Sequence, residues 1–198
     1  MNYPITFDEM AQAMLFCEQT KGQTVYQHGY SVWEHVQDIF NHLNGRNTTY
    51  DWKLPDWIDQ YKSNILSLIE DKISDIQVYC IYHDCGKPYC KQVDATDKVH
   101  FPDHAAVSET VFLCAGGEKD IAKLIGWDMV LHTSKAEEIE QYMEVWSQSE
   151  AMILLIAALA EIHSNAKLFG GFDSTSFKIK WKTIDKRGRQ ICKRYFGK

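Results

Sequence analysis

The sequence contains no long hydrophobic run. Its most apolar window, Met152 to Ala160, lies between Glu150 and Glu161, and it is much shorter than the ~20 apolar residues that a membrane-spanning helix needs. The first ten residues, MNYPITFDEM, show no basic region followed by an apolar stretch, so no signal peptide is expected. We therefore expect a soluble, cytoplasmic protein with no membrane partner.

Regular cysteine spacing is also absent. The six cysteines form no C-x-x-C pair and no repeating framework, although small secreted domains and zinc ribbons depend on such spacing. Reduced thiols in a cytosolic protein are the expectation for this chain. Cys85 and Cys90 are predicted to be small buried residues rather than zinc ligands.

Several catalytic motifs are missing as well. The sequence has no Gly-rich phosphate loop of the P-loop or dinucleotide-binding type and no G-x-S-x-G turn. These absences exclude the kinases, dehydrogenases and serine hydrolases that depend on those motifs.

The composition favours one folded domain. Of 198 residues, 45% are hydrophobic and 13% are aromatic, which is enough to build a sizeable core. We therefore predict a single domain over residues 1–198.

Charge is distributed unevenly along the chain. The net charge is -6, but residues 171–198 hold nine Lys or Arg against two Asp, a local +7 that leaves -13 on residues 1–170. An acidic body disfavours nucleic-acid binding over the whole surface. The basic segment 171–198 is predicted to be a solvated face, the commoner case, or an element that contacts phosphate.

Helix signals recur along the whole chain. Capping boxes are predicted at Thr6, Ser31 and Ser74, and apolar residues between Val32 and Leu43 repeat at helical spacing. The segment Phe177–Tyr195 fits an alternating strand or a helix, and its steps of three and four favour the helix. The other predicted helices are Trp57–Glu70, Asp75–Asp84, Pro102–Gly116, Glu118–His132, Ala136–Trp146 and Glu150–Phe169. The sequence thus predicts an all-α compact bundle of about seven or eight helices.

A His-Asp pair ends the helix predicted at Asp75–Asp84. His83 and Asp84 follow the apolar run VYCIY and precede Gly86, which we expect to cap the helix in a left-handed conformation. A buried aspartate is costly unless it is paired, and a metal ion is one suitable partner. One histidine alone is more often a hydrogen-bonded core residue, but the pair together with His35 on a buried helical stripe favours a metal site. Such ligands suit Mn²⁺, Ni²⁺, Co²⁺, Fe, Zn²⁺ or Mg²⁺.

The order of these motifs resembles a known family. His35 is followed by the doublet in HDCGKP, by His104 in FPDHAAVSE and by His132 in VLHTSKAEEIE. This pattern resembles the HD-domain metal-dependent phosphohydrolases, and it is most similar to the HD domain at the C-terminal end of some tRNA nucleotidyltransferases. The resemblance covers about residues 31–165.

The resemblance implies a helical bundle that holds one or two divalent metal ions. The implied ligands are His35, His83 and Asp84, with Glu161 where the family has a final aspartate. Glutamate is one methylene longer than aspartate, so Glu161 either still ligates or marks a weakened or lost metal. Alternative donors on the next helical turn are His163 and Asn165.

The resemblance also implies roles around the substrate. His104 and His132 match the histidines that bind a second ion in two-metal members, and they would also face the substrate. Asp84 and Lys87 are the expected catalytic residues, with Lys87 reaching a phosphate or, alternatively, only compensating a helix dipole. His28 is a candidate for the substrate mouth, although a loop histidine without function is the commoner case.

The function predicted from these residues is hydrolysis of a phosphate ester by a metal-activated water. The substrate would be a nucleotide or, as second choice, an RNA end, cleaved by a phosphomonoesterase or cyclic phosphodiesterase. Two alternatives are a degenerate HD-fold binding or interaction module without hydrolytic activity and a second-messenger phosphodiesterase. The sequence leaves the oligomeric state open.

Overall fold

A computed structural model of the chain describes residues 5–197, most of which are helical. The predicted all-α class is confirmed. The helices are α1 (Phe7–Phe16), α2 (Val25–Leu43), α3 (Asp56–Gln60), α4 (Lys62–Ile69), α5 (Ile73–Tyr82), α6 (Lys87–Cys90), α7 (His104–Cys114), α8 (Lys119–Trp127), α9 (Val130–Thr133), α10 (Ala136–Met143), α11 (Gln148–Ser164) and α12 (Thr175–Phe196). Nine of these described helices are longer than two turns, close to the predicted seven or eight.

The chain packs as two units. The first comprises the residues up to Ser31 together with Ser74–Asp128, and the second comprises Val32–Ile73 and the residues from Met129 onward. The boundaries fall within α2, after the first residue of α5 and after α8. The single domain over residues 1–198 stays a prediction.

Aromatic packing organises the first unit. Phe7 of α1 packs edge-on against Tyr82 at the end of α5, with ring centroids 5.1 Å apart, and against Phe112 of α7 at 5.5 Å. The predicted capping box at Thr6 is confirmed, because its hydroxyl accepts the Glu9 N–H and Glu9 accepts the Thr6 N–H. These contacts fix the end of α5 against α1 and α7.

Helix α2 begins earlier than predicted, and Ser31 lies inside it. The first turn is capped by Thr24, whose hydroxyl accepts the Gln27 N–H at 3.2 Å while Gln27 Oε1 accepts the Thr24 N–H at 2.9 Å. Thr24-x-x-Gln27 is therefore the capping box at this helix start, and the prediction at Ser31 was wrong.

Gly29 allows α2 to approach α5 closely. A β-carbon at residue 29 would lie 2.1 Å from the carbonyl oxygen of Ile81, a distance at which the backbones would have to separate. Glycine destabilises a helix by about 1 kcal/mol relative to alanine. Here the close packing of α2 on the backbone of α5 offsets that cost. The contact places His28 beside the residues that follow α5.

Gly86 is also required for close approach, but not for the predicted left-handed cap. Its φ is -80°, so that prediction was wrong. A β-carbon there would lie 2.3 Å from the backbone nitrogen of Ser108, and the Gly86 N–H donates to Ser108 Oγ at 2.8 Å. Glycine thus lets the turn after α5 pack directly on α7.

Two short hairpins in the first unit were not predicted. Strand β1 (Glu18–Thr20) pairs antiparallel with β2 (Gln23–Thr24), and β3 (Gln92–Val93) pairs with β4 (Val99–His100). Strands this short contain too few alternating residues to produce a periodic signal. Gly22, with φ of 79°, supplies the left-handed turn of the first hairpin.

The second unit packs around α11, an almost completely buried helix. Its neighbour α12 buries Phe177, Ile184, Ile191 and Cys192, so the helical prediction for this segment is confirmed. Gly188 of α12 lies against the Trp57 ring, where a β-carbon would be 2.2 Å from Cε2. No described helix is both long and apolar enough to cross a membrane.

Several predicted helix boundaries differ from the observed ones. The Trp57–Glu70 segment forms two helices that meet at Tyr61, and Glu118–His132 is divided between α8 and α9. Near the second break, the buried Asp128 carboxylate accepts the Tyr79 hydroxyl at 2.7 Å, a tertiary bond that sequence periodicity does not show. Ser74 lies inside α5 rather than capping it.

We expect Gly29→Ala to lower the free energy of unfolding by about 1–3 kcal/mol, because the new methyl group overpacks the contact with Ile81. Helix propensity alone predicts that the substitution raises the free energy of unfolding, because alanine favours a helix more than glycine does. Urea denaturation followed by circular dichroism measures the change. Gln37→Ala, at an exposed position of the same helix, is the control and should be nearly neutral. A Gly29→Ala protein at least as stable as the wild type would contradict the close-approach argument.

Candidate metal centre

Asp84 is the centre of a polar cluster in the first unit. It lies in the turn between α5 and α6, and only 1% of its surface is exposed. Burial alone would raise its pKa, but the Lys87 ammonium, the largest opposing influence, holds the pKa well below its usual range. The carboxylate is therefore ionised at neutral pH, and its charge must be compensated within the protein.

His83 faces one oxygen of this carboxylate. Its Nδ1 lies 2.8 Å from the Cys80 carbonyl oxygen, which can only accept, so Nδ1 carries the proton. Its Nε2 lies 3.2 Å from Asp84 Oδ2. In the neutral ring this nitrogen is a lone-pair donor, and a cation shared with the carboxylate would suit both atoms.

His104 repeats this arrangement at the other carboxylate oxygen. At the start of α7, its Nδ1 lies 3.1 Å from the Phe101 carbonyl oxygen, which again assigns the proton to Nδ1. Its Nε2 lies 3.5 Å from Asp84 Oδ1, an oxygen that accepts no hydrogen bond from the described residues. A backbone partner at one ring nitrogen is the usual support of a metal-binding histidine.

His28 is the third histidine of the cluster. It is 1% exposed, and its Nε2 lies 3.7 Å from Asp84 Oδ2. The ligand atoms of His28, His83 and Asp84 all lie within 4.8 Å of one another. Two imidazoles and one carboxylate at this separation fit a divalent transition metal.

Lys87 supplies a positive charge at the same carboxylate. Its Nζ lies 2.6 Å from Asp84 Oδ2 and 2.9 Å from Gln19 Oε1 in the first hairpin. Lys87 opens α6, and its ammonium pairs with the Asp84 carboxylate. The side chain remains 14% exposed, which leaves it reachable from solvent.

A buried residue on α7 fixes the turn that carries the doublet. Ser108 receives the Gly86 N–H, and its carbonyl oxygen lies 3.3 Å from Cys85 Sγ. Burial, with a smaller contribution from Asp84, raises the pKa of Cys85 to about 12. The thiol therefore stays protonated, in agreement with the prediction of Cys85 as a small buried residue. Cys90 is only partly buried, so the same prediction for Cys90 was wrong.

The other predicted ligands belong to the second unit. His35 is buried on α2 and stacks on Tyr50, with ring centroids 4.0 Å apart, while Trp52 lies edge-on at 5.6 Å. His132 and Glu161 form a close pair, with Nε2 and Oε2 2.9 Å apart. The ligand roles of these three residues stay predictions.

His163 is fully engaged inside the protein. Its Nδ1 donates to the Leu159 carbonyl at 2.7 Å, and its Nε2 accepts the Lys53 N–H at 3.2 Å. Burial lowers its pKa to about 4, so the ring is neutral at physiological pH. With both nitrogens occupied, His163 is a structural residue in this conformation.

Asp38 holds the aromatic segment that covers His35. Its carboxylate accepts the Thr49 and Tyr50 N–H groups at 2.7 and 3.0 Å and the Trp52 indole N–H at 2.8 Å. Burial raises the pKa of Asp38, but these hydrogen bonds outweigh burial and lower it overall. The charged carboxylate is therefore the organising group of this loop.

The structure thus brings together five of the residues singled out from the sequence: His28, His83, Asp84, Lys87 and His104. His28 was predicted only as a candidate for the substrate mouth, yet it belongs to the group of three with metal-ligand spacing. The sequence signal that could have indicated this was the capping box Thr24-x-x-Gln27, because it places His28 on α2 rather than in a loop. Gln19 was missed because a lone glutamine in a short hairpin carries no sequence signal.

No protein-family model, curated protein or solved structure matches the chain.

We expect Asp38→Ala to lower the free energy of unfolding at neutral pH by about 3 kcal/mol, because three donors lose a charged acceptor. The folded pKa is below the unfolded value, so this stabilisation is present above pH ~4 and is lost as the pH falls below it. Urea denaturation across that range should show the wild type and variant converging in acid. Asp51→Ala, at an exposed position in the same loop, is the control. A difference that persists unchanged in acid would contradict the charged-acceptor role.

Proposed function

We propose that this protein is a metal-dependent phosphohydrolase of the HD type that hydrolyses a phosphate ester of a nucleotide or an RNA end. The preferred reactions are phosphomonoester hydrolysis and opening of a cyclic phosphodiester. The proposal places the enzyme in the cytoplasm and gives it one or two divalent ions.

One observation carries the proposal. His83 and His104 each have Nδ1 engaged by a backbone carbonyl, and their Nε2 atoms face opposite oxygens of the ionised Asp84. Hydrogen bonding to the backbone selects the ring tautomer that can bind a metal. The agreement of this geometry with the HDCGKP and FPDH motifs supports an HD-type centre over an ordinary buried ion pair.

The residues of the first unit fit a divalent ion by type, charge and spacing. His28, His83 and Asp84 would hold it, with His104 beside the second carboxylate oxygen. Such an ion, when bound, activates water and neutralises negative charge on a phosphoryl group. Asp84 reduces the net charge of the site, while the Cys80 and Phe101 carbonyls keep the imidazoles of His83 and His104 oriented.

Lys87 would neutralise phosphoryl oxygens as the ester bond breaks. Its ammonium is held beside the site by Asp84 and Gln19, and it remains partly exposed. Preorganised positive charge at a developing anion contributes substantially to catalysis because it requires little rearrangement. The Phe101 ring, 5.4 Å from Nζ, adds a weak attraction that limits the positions of the ammonium.

The first test measures metal and activity together. We expect purified protein to contain one or two divalent ions per chain and to hydrolyse an aryl phosphate with added Mn²⁺ or Ni²⁺. His83→Ala should lower metal affinity at least about 10-fold and abolish hydrolysis. Elemental analysis, metal titration and a panel of nucleoside monophosphates and cyclic nucleotides are the measurements.

His100→Ala is the matched control, since His100 is an exposed histidine paired with Asp94 in the second hairpin. It should keep metal and activity. A metal-free wild-type protein that hydrolyses none of these esters would overturn the proposal and favour the non-hydrolytic binding module. Cleavage restricted to dinucleotide second messengers would instead identify a phosphodiesterase.

A second test separates the role of Lys87 from metal binding. Lys87→Met should lower kcat/KM on the order of 100-fold, because a charged donor to the transition state is removed, while the bound-metal content stays that of the wild type. Steady-state kinetics at saturating metal measures the loss.

Lys91→Met, four residues later and exposed, is the control and should leave kcat/KM unchanged. If the Lys87→Met protein holds its full metal content and its kcat/KM equals that of the wild type, Lys87 only neutralises Asp84.

A further inference from the structure

The exposed face of α12 carries a straight row of cations. Lys182, Lys186, Arg189 and Lys193 are spaced by four, three and four residues and are all exposed. At 3.6 residues per turn these positions share one side of the helix, and they extend over about 16 Å. The row therefore presents a positive charge about every 5–6 Å.

Most of this charge is available for a ligand. Among the described residues, Lys182, Lys186 and Lys193 take part in no ion pair, while Arg189 pairs with Asp185, the buried carboxylate on the preceding turn. Asp56, on the neighbouring α3, also lies near Arg189 and lines the same cavity. Three of the four cations are thus outside the ion pairs of the described residues.

The C-terminal end of the row borders a cavity. This cavity has a volume of about 260 Å³ and lies between α3 and α12, both in the second unit. Its aromatic lining residues are Tyr61, whose ring tilts against Phe196 at 5.4 Å, and Trp57. The buried Nε1 of Trp57 has no hydrogen-bond partner within the described residues.

We propose that this face of α12 and the adjoining cavity bind a single-stranded nucleic acid, for which single-stranded RNA is the probe. The cations would follow the phosphates of one strand, and the cavity beside Arg189 and Lys193 would receive a base against Tyr61. Proteins that bind single strands combine a positive track with aromatic side chains in this way.

The shape of the surface favours a nucleic-acid strand over a membrane. A helix that binds a lipid surface inserts an apolar face between the headgroups. The apolar face of α12, which includes Phe177, Ile184 and Ile191, is instead buried inside the protein. The exposed row is polar, apart from Ile179 at its N-terminal side. The adjoining cavity favours a single strand over a duplex, because an unpaired base can enter it.

This inference does not depend on the proposed hydrolysis, since it concerns residues outside the candidate metal centre. Failure of RNA binding would leave the metal centre untouched, and absence of metal would leave the RNA surface untouched.

The experiment is a fluorescence anisotropy titration of the full chain with a labelled oligouridine of about 12 nucleotides, in EDTA so that the strand stays intact. The wild type should bind with a log–log salt slope of about -3, since each phosphate contact contributes about -0.7 in single strands. The triple variant Lys182→Glu, Lys186→Glu, Lys193→Glu should lose at least about 10-fold in affinity and about 2 units of slope.

The control variant carries Lys21→Glu, Lys98→Glu and Lys119→Glu, three exposed lysines of the first unit. It has the same net charge as the row variant and should retain most of the binding. Circular dichroism shows whether the variant with three glutamates at Lys182, Lys186 and Lys193 folds. If it does not fold, a variant with three glutamines at the same positions replaces it.

Equal losses in the two triple variants, or no binding by the wild type, would overturn the proposal. Binding to phosphatidylserine vesicles without binding to RNA would overturn it in favour of a membrane surface. A mononucleotide that competes as effectively as the unlabelled strand would also overturn the proposal, because the row of cations would then contribute nothing to the affinity for the strand.

Discussion

The described part of the first unit depends on one electrostatic constraint, the burial of an ionised carboxylate at Asp84. Removing a carboxylate from water costs several kcal/mol after relaxation, so the fold must return positive charge to it, which the Lys87 ammonium supplies. Lys87, His83, His28 and His104 all direct nitrogen atoms at its two oxygens. The glycines that permit close helix contact and the serine that fixes the turn serve this same arrangement.

The helical class could be predicted because α11 and α12 are long and carry strong apolar patterns. Helix starts were less predictable, since capping patterns are short and occur by chance. Thr6 and Ser31 begin equally plausible capping boxes, yet only the first caps a helix. The difference lies at Thr24, whose capping box with Gln27 starts α2 about two turns earlier and leaves Ser31 inside the helix. The expectation for Gly86 was wrong for another reason, since its glycine requirement comes from Ser108, which is distant in sequence and leaves no local pattern.

Motif spacing indicated where the polar cluster lies better than it indicated all the members of the cluster. The doublet His83-Asp84 is informative because an apolar helix leads directly into it, so burial and charge can be inferred together. The contribution of His28 required knowing that α2 begins at Val25 and meets the end of α5. Gln19 has no chemical signature at all, and only the folded hairpin places its amide oxygen at Lys87.

Orientation of the two imidazoles comes from the main chain rather than from other side chains. The acceptors are the carbonyl oxygens of Cys80 and Phe101, each three residues before its histidine. A carbonyl remains in place whatever side chain the residue carries, so exchanges at positions 80 and 101 that preserve packing would leave the tautomers intact. Evolutionary drift at those two positions would therefore conceal the supporting contacts from sequence comparison while their geometry persisted.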